Sequence, residues 1–417
     1  MGQERWRQRV EAAGEELKRL LKDLIAFPTV SPPARNTRPA QQYIADFLRR
    51  LGLEVDQWEV YPNDDNVVGR WRGSGGGRSL ILNGHVDVAS LEEGEAWETP
   101  PFVLTQKNGR LYGRGVSDMK GGLACGLWAL ALLKEAGFQP RGDILFQSVI
   151  GEEVGEAGTQ ACLERGYTAD FAIVMDSSDL HIQGQGGVIT GWIEIQSPQT
   201  FHDGMRAKLI HAGGGQFGAS AIEKMAKIIT ALQELERHWA VVKSYPGFPP
   251  GMNTINPAVI EGGRHPAFVA DQCRLWITVH FYPNETYEQV AREVEDHVLR
   301  TAAADPWLRH HPPRFRWGGR SMIEEKGEIF PALEVDWNHP GVRLLRETHE
   351  CVLGEPAVCD MSPTVTDAGW LGRAGIPTVL YGPGSLKEAH AVNESVAWED
   401  LLRYTETLVR FIERWCG

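Results

Sequence analysis

Over the first 51 positions apolar residues recur at helical spacing, and then the pattern changes to short apolar runs that suit buried strands. An amphipathic stretch over residues 3–26 predicts one helix. Tyr43, Ile44, Phe47, Leu48 and Leu51 share one face of a second over 39–51, which Gly52 ends. Strands are predicted over 53–60, 66–72 and 79–83, then a helix over 121–136 stopped by Gly137, then two more apolar runs over 143–150 and 170–175. A sheet covered by helices on both faces keeps water from either side of its strands, so apolar runs alternating with helices describe an α/β fold.

The rhythm changes at Gly187. A strand over 188–196, a helix over 219–235, strands over 253–262 and 273–282, a helix over 287–303 and a strand over 314–317 follow in the order βαββαβ, that of a ferredoxin-like unit. Alternation of helix and strand then resumes, with a helix over 339–353, a strand over 377–381 and a closing helix over 398–415. The expected fold class is α/β: a catalytic domain with a twisted mixed sheet covered by helices, made of residues 1–187 and 323–417, interrupted by an inserted α+β domain over 188–322. Residues 73–77 read as a surface turn.

A length of 417 residues accommodates about two such domains. The formal charge of -13 disfavours nucleic acid and anionic membranes, which need a basic surface, and leaves a small molecule as the expected partner. No apolar run approaches the ~18 residues of a membrane span. Residues 1–6 lack an apolar signal core, so the expected location is the cytoplasm. Six cysteines form no CxxC pair and read as reduced, mostly buried thiols.

The candidate chemistry sits at the ends of predicted strands. His85 closes the strand over 79–83, and Asp87 stands where its carboxylate can accept the imidazole's second N–H and fix the tautomer, as carboxylates do behind zinc histidines. Asp118 lies among four glycines in segment 113–122, where a permissive backbone can hold a carboxylate between two cations. A phosphate-cradling loop is the rival there; the Lys120-Gly121-Gly122 order lacks the Walker pattern, and no predicted strand runs directly into the segment. Glu152 and Glu153 come off the strand over 143–150, and adjacent side chains of an extended backbone point apart, so one can bind metal while the other acts as a base. Asp176 ends the run over 170–175, and His390 follows the strand over 377–381 through Gly382-Pro383-Gly384. Each of these taken singly is an ordinary polar turn or surface pair; their shared position at strand ends makes them a site. Carboxylates and imidazoles without a thiolate suit zinc, with cobalt or manganese as replacements, and two such metals a few Å apart activate water and polarise a carbonyl.

Gly84-His85-Val86-Asp87, segment 113–122, Glu152-Glu153 and His390 together resemble the M20 family of metallopeptidases and amidohydrolases, which includes acetylornithine deacetylase, succinyl-diaminopimelate desuccinylase, aminoacylase and the glutamate carboxypeptidases. The resemblance covers nearly the whole chain, and the inserted domain is similar to the family's lid and dimerisation domain. It implies one metal held by His85, Asp118 and Asp176, a second held by Asp118, Glu153 and His390, Glu152 as general base and then acid, Asp87 as the group that orients His85, and a cis bond between Asp118 and Met119. It further implies a homodimer in which His211, within Ile210-His211-Ala212-Gly213, reaches the partner's active site to stabilise an oxyanion.

Three positions depart from the family pattern. Asp176 replaces the glutamate usual in deacylases and carboxypeptidases, which keeps a dipeptidase or aminopeptidase in view. His280 stands in place of a lid arginine that clamps the substrate carboxylate, and Ala267 in place of a lid asparagine. Arg264, Arg274 or Arg320 are the available substitutes for the lost charge. The expected reaction is hydrolysis of a small N-acetyl, N-succinyl or N-formyl amide, nearest in layout to acetylornithine deacetylase. The missing clamp, with Trp192, Phe268, Trp276 and Trp370, also suits an N-formyl aminopyrimidine of the kind relatives deformylate in thiamine salvage. The contrary expectation is a binding protein that keeps the fold and lacks the reaction.

Overall fold

The computed structural model describes residues 2–156, 158–211 and 213–417, with side chains from residue 5 onward; Ala212 of the 210–213 segment lies outside the described residues. The chain up to Gln185 together with Leu333–Gly417 forms one compact unit, and Gly186–Ala332 forms another.

In the first unit an eight-stranded mixed sheet runs in the order Cys359–Ser362, Ile182–Gln185, Thr378–Leu380, Ala172–Val174, Leu80–His85, Ile144–Val149, Asp64–Trp71, Glu54–Tyr61. Its centre, from Thr378–Leu380 to Ile144–Val149, is parallel, and the last two strands form an antiparallel hairpin. Every residue of Leu80–His85 and Ile144–Val149 is buried, as a sheet covered on both faces requires. The helix Lys120–Glu135 is buried almost all round. Gly122 lets it approach the sheet, since a Cβ there would meet the Met175 carbonyl oxygen at 1.9 Å. The single helix expected over 3–26 is two, Gly2–Ala12 and Gly14–Ile25. Glycine is a poor helix residue, and the Trp398 ring lies 3.1 Å from where a Cβ at Gly14 would sit, so the break falls where the chain turns onto the closing helix Trp398–Cys416.

The second unit is an antiparallel sheet in the order Ile255–Gly262, Gln272–Phe281, Gly187–Gln196, Arg314–Trp317, with Ala221–Val242 and Tyr287–Ala304 contributing to one core. Second, third, first, fourth is the ferredoxin-like strand order. Two expectations differ in detail. The unit continues beyond residue 322 because Ile329 and Phe330 pair with Ile189 and Val188, a contact too short to show a sequence period. The helix expected over 219–235 runs to Val242, because buried Trp239 continues its apolar stripe.

Candidate metal centre

The sheet brings the candidate ligands together at the carboxyl ends of four neighbouring parallel strands: His85 closes one, the Glu152–Val154 turn and Asp176 follow two others, and the loop bearing His390 follows the fourth. His85 Nε2 lies 3.2 Å from Asp118 Oδ1, 3.6 Å from Asp176 Oδ2 and 3.9 Å from Glu152 Oε2. His390 Nε2 lies 2.9 Å from Glu153 Oε2 and 3.4 Å from Asp118 Oδ2. Asp118 thus turns one oxygen to each histidine. His85, Asp118 and Asp176, and again Asp118, Glu153 and His390, offer donor atoms within 4.8 Å of one another. Both sets fit a divalent cation. Among the described residues His85 Nε2 and Glu153 Oε1 are buried without a hydrogen-bond partner, and the donors are imidazole and carboxylate, the ligand types of zinc and its first-row neighbours.

Local geometry explains how the chain holds these groups. Glu152 and Glu153 stand on a 3₁₀ turn entered through Gly151 at φ +78°, not on extended backbone, so the turn rather than strand alternation separates the two carboxylates. The buried Asp87 carboxylate fastens that turn, accepting the N–H groups of Gly151 at 2.9 Å and Glu153 at 3.1 Å. His85 Nδ1 meets the Asp87 carbonyl oxygen at 3.0 Å, closer than its carboxylate at 3.6 Å. From the other side, Arg35 donates to both oxygens of buried Glu156, at 2.8 and 2.7 Å, and to Asp64 at 3.0 Å. The Asp118–Met119 bond is cis. A short strand, Arg110–Tyr112, does run into the glycine segment, contrary to expectation. What removes a phosphate cradle is that Glu394 already accepts the N–H groups of Gly115, Ser117 and Asp118.

Crowding of charge sets the proton affinities. Burial raises Glu152 well above the usual carboxylate range, against the pull of His85. Burial, reinforced by the Asp118 charge, pushes Glu153 up to about 7. Burial opposes ionisation of Asp118 too, but the imidazoles of His390 and His85 outweigh it and hold that carboxyl below its ordinary value. Asp118 and Glu153 raise His390 to about 10, so a cation at this set competes with a proton.

The sequence model of peptidase family M20/M25/M40 matches residues 81–414. The chain belongs to this family. As an M20 member it is a hydrolase of carbon–nitrogen amide bonds. It is 62% identical over 409 residues to N-formyl-4-amino-5-aminomethyl-2-methylpyrimidine deformylase of Halalkalibacterium halodurans, covering 98% of this chain and 96% of that one. Acetylornithine deacetylase of Proteus mirabilis is 28% identical, with 95% and 96% covered. Among solved structures, the M20 family metallo-carboxypeptidase Sso-CP2 from Sulfolobus solfataricus superposes with a TM-score of 0.74 at 17% identity, covering 96% and 99% of the two chains.

Other residues singled out in this M20 sequence lie in the second unit. His211 is exposed at the end of the short helix Arg206–His211. His280 is half-buried opposite Val188, and burial lowers its proton affinity. The Ala267 N–H is bonded to His265 Nδ1 at 3.1 Å. Arg264 pairs with Asp271, and Arg274 pairs with Glu261 and lies 4.6 Å from the Trp192 ring, so both charges are engaged. Trp276 is buried against Trp192, while Phe268 is 44% exposed. Three groups of the first unit escaped the sequence reading: Arg114, Glu394, and Asp367, whose two buried oxygens have no hydrogen-bond partner among the described residues. Arg114 stands within the glycine segment, and its position there was the one available signal.

Proposed function

We propose that the chain hydrolyses the N-formyl amide of an aminomethyl-aminopyrimidine to formate and the free amine. The observation that carries this reading is the 62% identity with the H. halodurans deformylase over nearly the full length of both chains. The acetylornithine deacetylase layout, nearest by motif alone, has 28% identity behind it. A formyl group asks little room, and His280 in place of a clamping arginine suits an amine that carries no carboxylate.

His85, Asp118 and Asp176 would hold one divalent cation and Asp118, Glu153 and His390 the other, zinc in our reading, with cobalt or manganese able to replace it. Bound there, the pair would supply Lewis acidity to the carbonyl and to the attacking water. Glu152 is free of either donor set. It takes the proton of water as the new C–O bond forms and returns it to nitrogen as the C–N bond breaks. Burial, which raises its proton affinity, suits it to carry that proton between the two steps. Asp87 holds the turn that aims it.

We further read the second unit as the dimerisation domain, with His211 serving the partner's site. The strand Ile255–Gly262 supports this, because it is an edge strand with Val259 and Ile260 about half exposed. Mixing His211→Ala and Glu152→Ala chains should then restore part of the activity through heterodimers; no restoration would remove the role in trans.

Turnover of the formyl aminopyrimidine, N-acetylornithine and a panel of dipeptides by the purified, zinc-supplied protein tests the substrate. The formyl substrate should have the highest kcat/KM by at least two decades. A dipeptide or N-acetylornithine turned over faster would overturn the reading.

A further inference from the structure

Asp118 and His390 come from loops remote in sequence, and one buried ion pair ties both down. Glu394 is fully buried. Its Oε1 accepts the N–H groups of Ser117 at 2.8 Å and Asp118 at 3.0 Å, while its Oε2 accepts the Gly115 N–H at 3.0 Å and Arg114 Nη1 at 2.9 Å. Arg114, also buried, spends its remaining fork on backbone carbonyls: His390 at 3.3 Å, Ala391 at 3.3 Å and Ser90 at 3.4 Å. The His390 loop has need of such an anchor. It contains no helix or strand from Tyr381 to Glu394, and His390 itself sits at φ +59° with an exposed ring. The two donor sets therefore stand differently toward this pair. His85 ends a fully buried strand and Asp176 follows one, so the sheet fixes them, and only their shared Asp118 touches Glu394. In the other set both Asp118 and His390 depend on it.

We propose that Arg114 and Glu394 are positioning residues that selectively set the affinity of the Asp118, Glu153 and His390 set for its cation. The proposal rests on the two-cation reading of the site. Supporting residues behind a ligand typically change metal affinity about 10- to 100-fold. Glu394→Gln keeps the shape, loses the charge that balances Arg114, and turns an NH₂ group toward donors that need an acceptor.

The test is zinc stoichiometry and affinity of the full-length protein, by elemental analysis after equilibration in zinc buffers and by calorimetric titration, without reference to turnover. Wild type should bind two ions. Glu394→Gln should keep one at near wild-type affinity and bind the second about 10- to 100-fold more weakly. His390→Ala should lose the same ion, and the double variant should lose no more than His390→Ala alone. Arg114→Lys, which keeps the charge and loses the fork toward His390 and Ala391, gives the same selective loss and carries the test if Glu394→Gln does not fold. Equal weakening of both ions, or two ions held at wild-type affinity in both variants, overturns the proposal. A wild-type protein that binds one ion or none overturns the two-cation reading instead.

Discussion

Arg35→Ala removes the central member of a buried charge cluster that backs the Glu152–Val154 turn. The Glu156 side chain is 0% exposed and that of Asp64 1%, while Arg35 is 20% exposed and lies 4.3 Å from the Tyr61 ring. The two acids do not suffer equally. Asp64 keeps the backbone N–H groups of residues 35, 36 and 37 and the Thr37 hydroxyl, at 2.8 to 3.0 Å, whereas Glu156 loses two charged hydrogen bonds in a dry place. Removing one partner of a buried pair costs about 3–5 kcal/mol, and the lost contact with Tyr61 about 0.5–1 kcal/mol. At roughly 2–4 °C per kcal/mol for a domain of this size, Tm should fall by about 7–24 °C. Turnover should fall as well, because Glu156 N–H donates to the Gly151 carbonyl at 2.7 Å and so closes the turn that aims Glu152. Thermal unfolding monitored by circular dichroism, with a parallel turnover assay, reads both effects. A double variant, Arg35→Ala with Glu156→Ala, should be more stable than Arg35→Ala alone, since no unbalanced charge remains. A Tm within about 2 °C of wild type for Arg35→Ala, or a double variant less stable than the single, would refute the reasoning.

Three further outcomes follow from the same site. Glu152→Gln should lower kcat by about 10²- to 10⁴-fold while elemental analysis finds unchanged zinc, because Glu152 belongs to neither donor set. Asp87→Ala strands the buried N–H of Gly151, at about 1–3 kcal/mol, and frees the partly buried N–H of Glu153, so both Tm and kcat should fall. In chelator-treated protein, burial pushes Asp367 up to about 7, so between pH about 4 and 7 the folded chain keeps a proton that the unfolded chain has released, and the stability tied to this group declines as pH rises through that window. Asp367→Asn should flatten that slope and raise Tm at pH 8; urea titrations from pH 4 to 8 measure it.

Most of the site was readable because its chemistry lies in short segments placed at strand ends, where periodicity and turn residues locate them together. His85, Glu153, Asp176 and His390 needed nothing beyond that placement to stand as candidates, and Asp118 needed the four glycines around it. The supporting groups were not readable in the same way. Glu394, like Glu156, is one acidic residue in a loop, and its burial follows from contacts across 276 or more positions of chain. The edge strand Cys359–Ser362 and its neighbour Ile182–Gln185 escaped for a related reason: Cys-Asp-Met-Ser and Gln-Gly-Gln carry no apolar alternation, and their pairing is set by neighbours brought in from far along the chain. The distinction between the Asp87 carbonyl and carboxylate at His85 is likewise a matter of tenths of an ångström.

The interleaved order of the eight-stranded sheet bears on how the protein is made. Ile182–Gln185 finds no neighbour among strands synthesised before it; it pairs with Cys359–Ser362 and with Thr378–Leu380, both translated after the whole second unit. On the ribosome, His85, Asp118 and Asp176 emerge before the second unit, while His390 emerges after the whole of it. A nascent chain that has passed Asp176 therefore carries one complete donor set and two of the three donors of the other through most of its synthesis, and truncation between residues 177 and 358 yields a chain that keeps the first set, lacks the Cys359–Ser362 and Thr378–Leu380 strands, and cannot complete the second set.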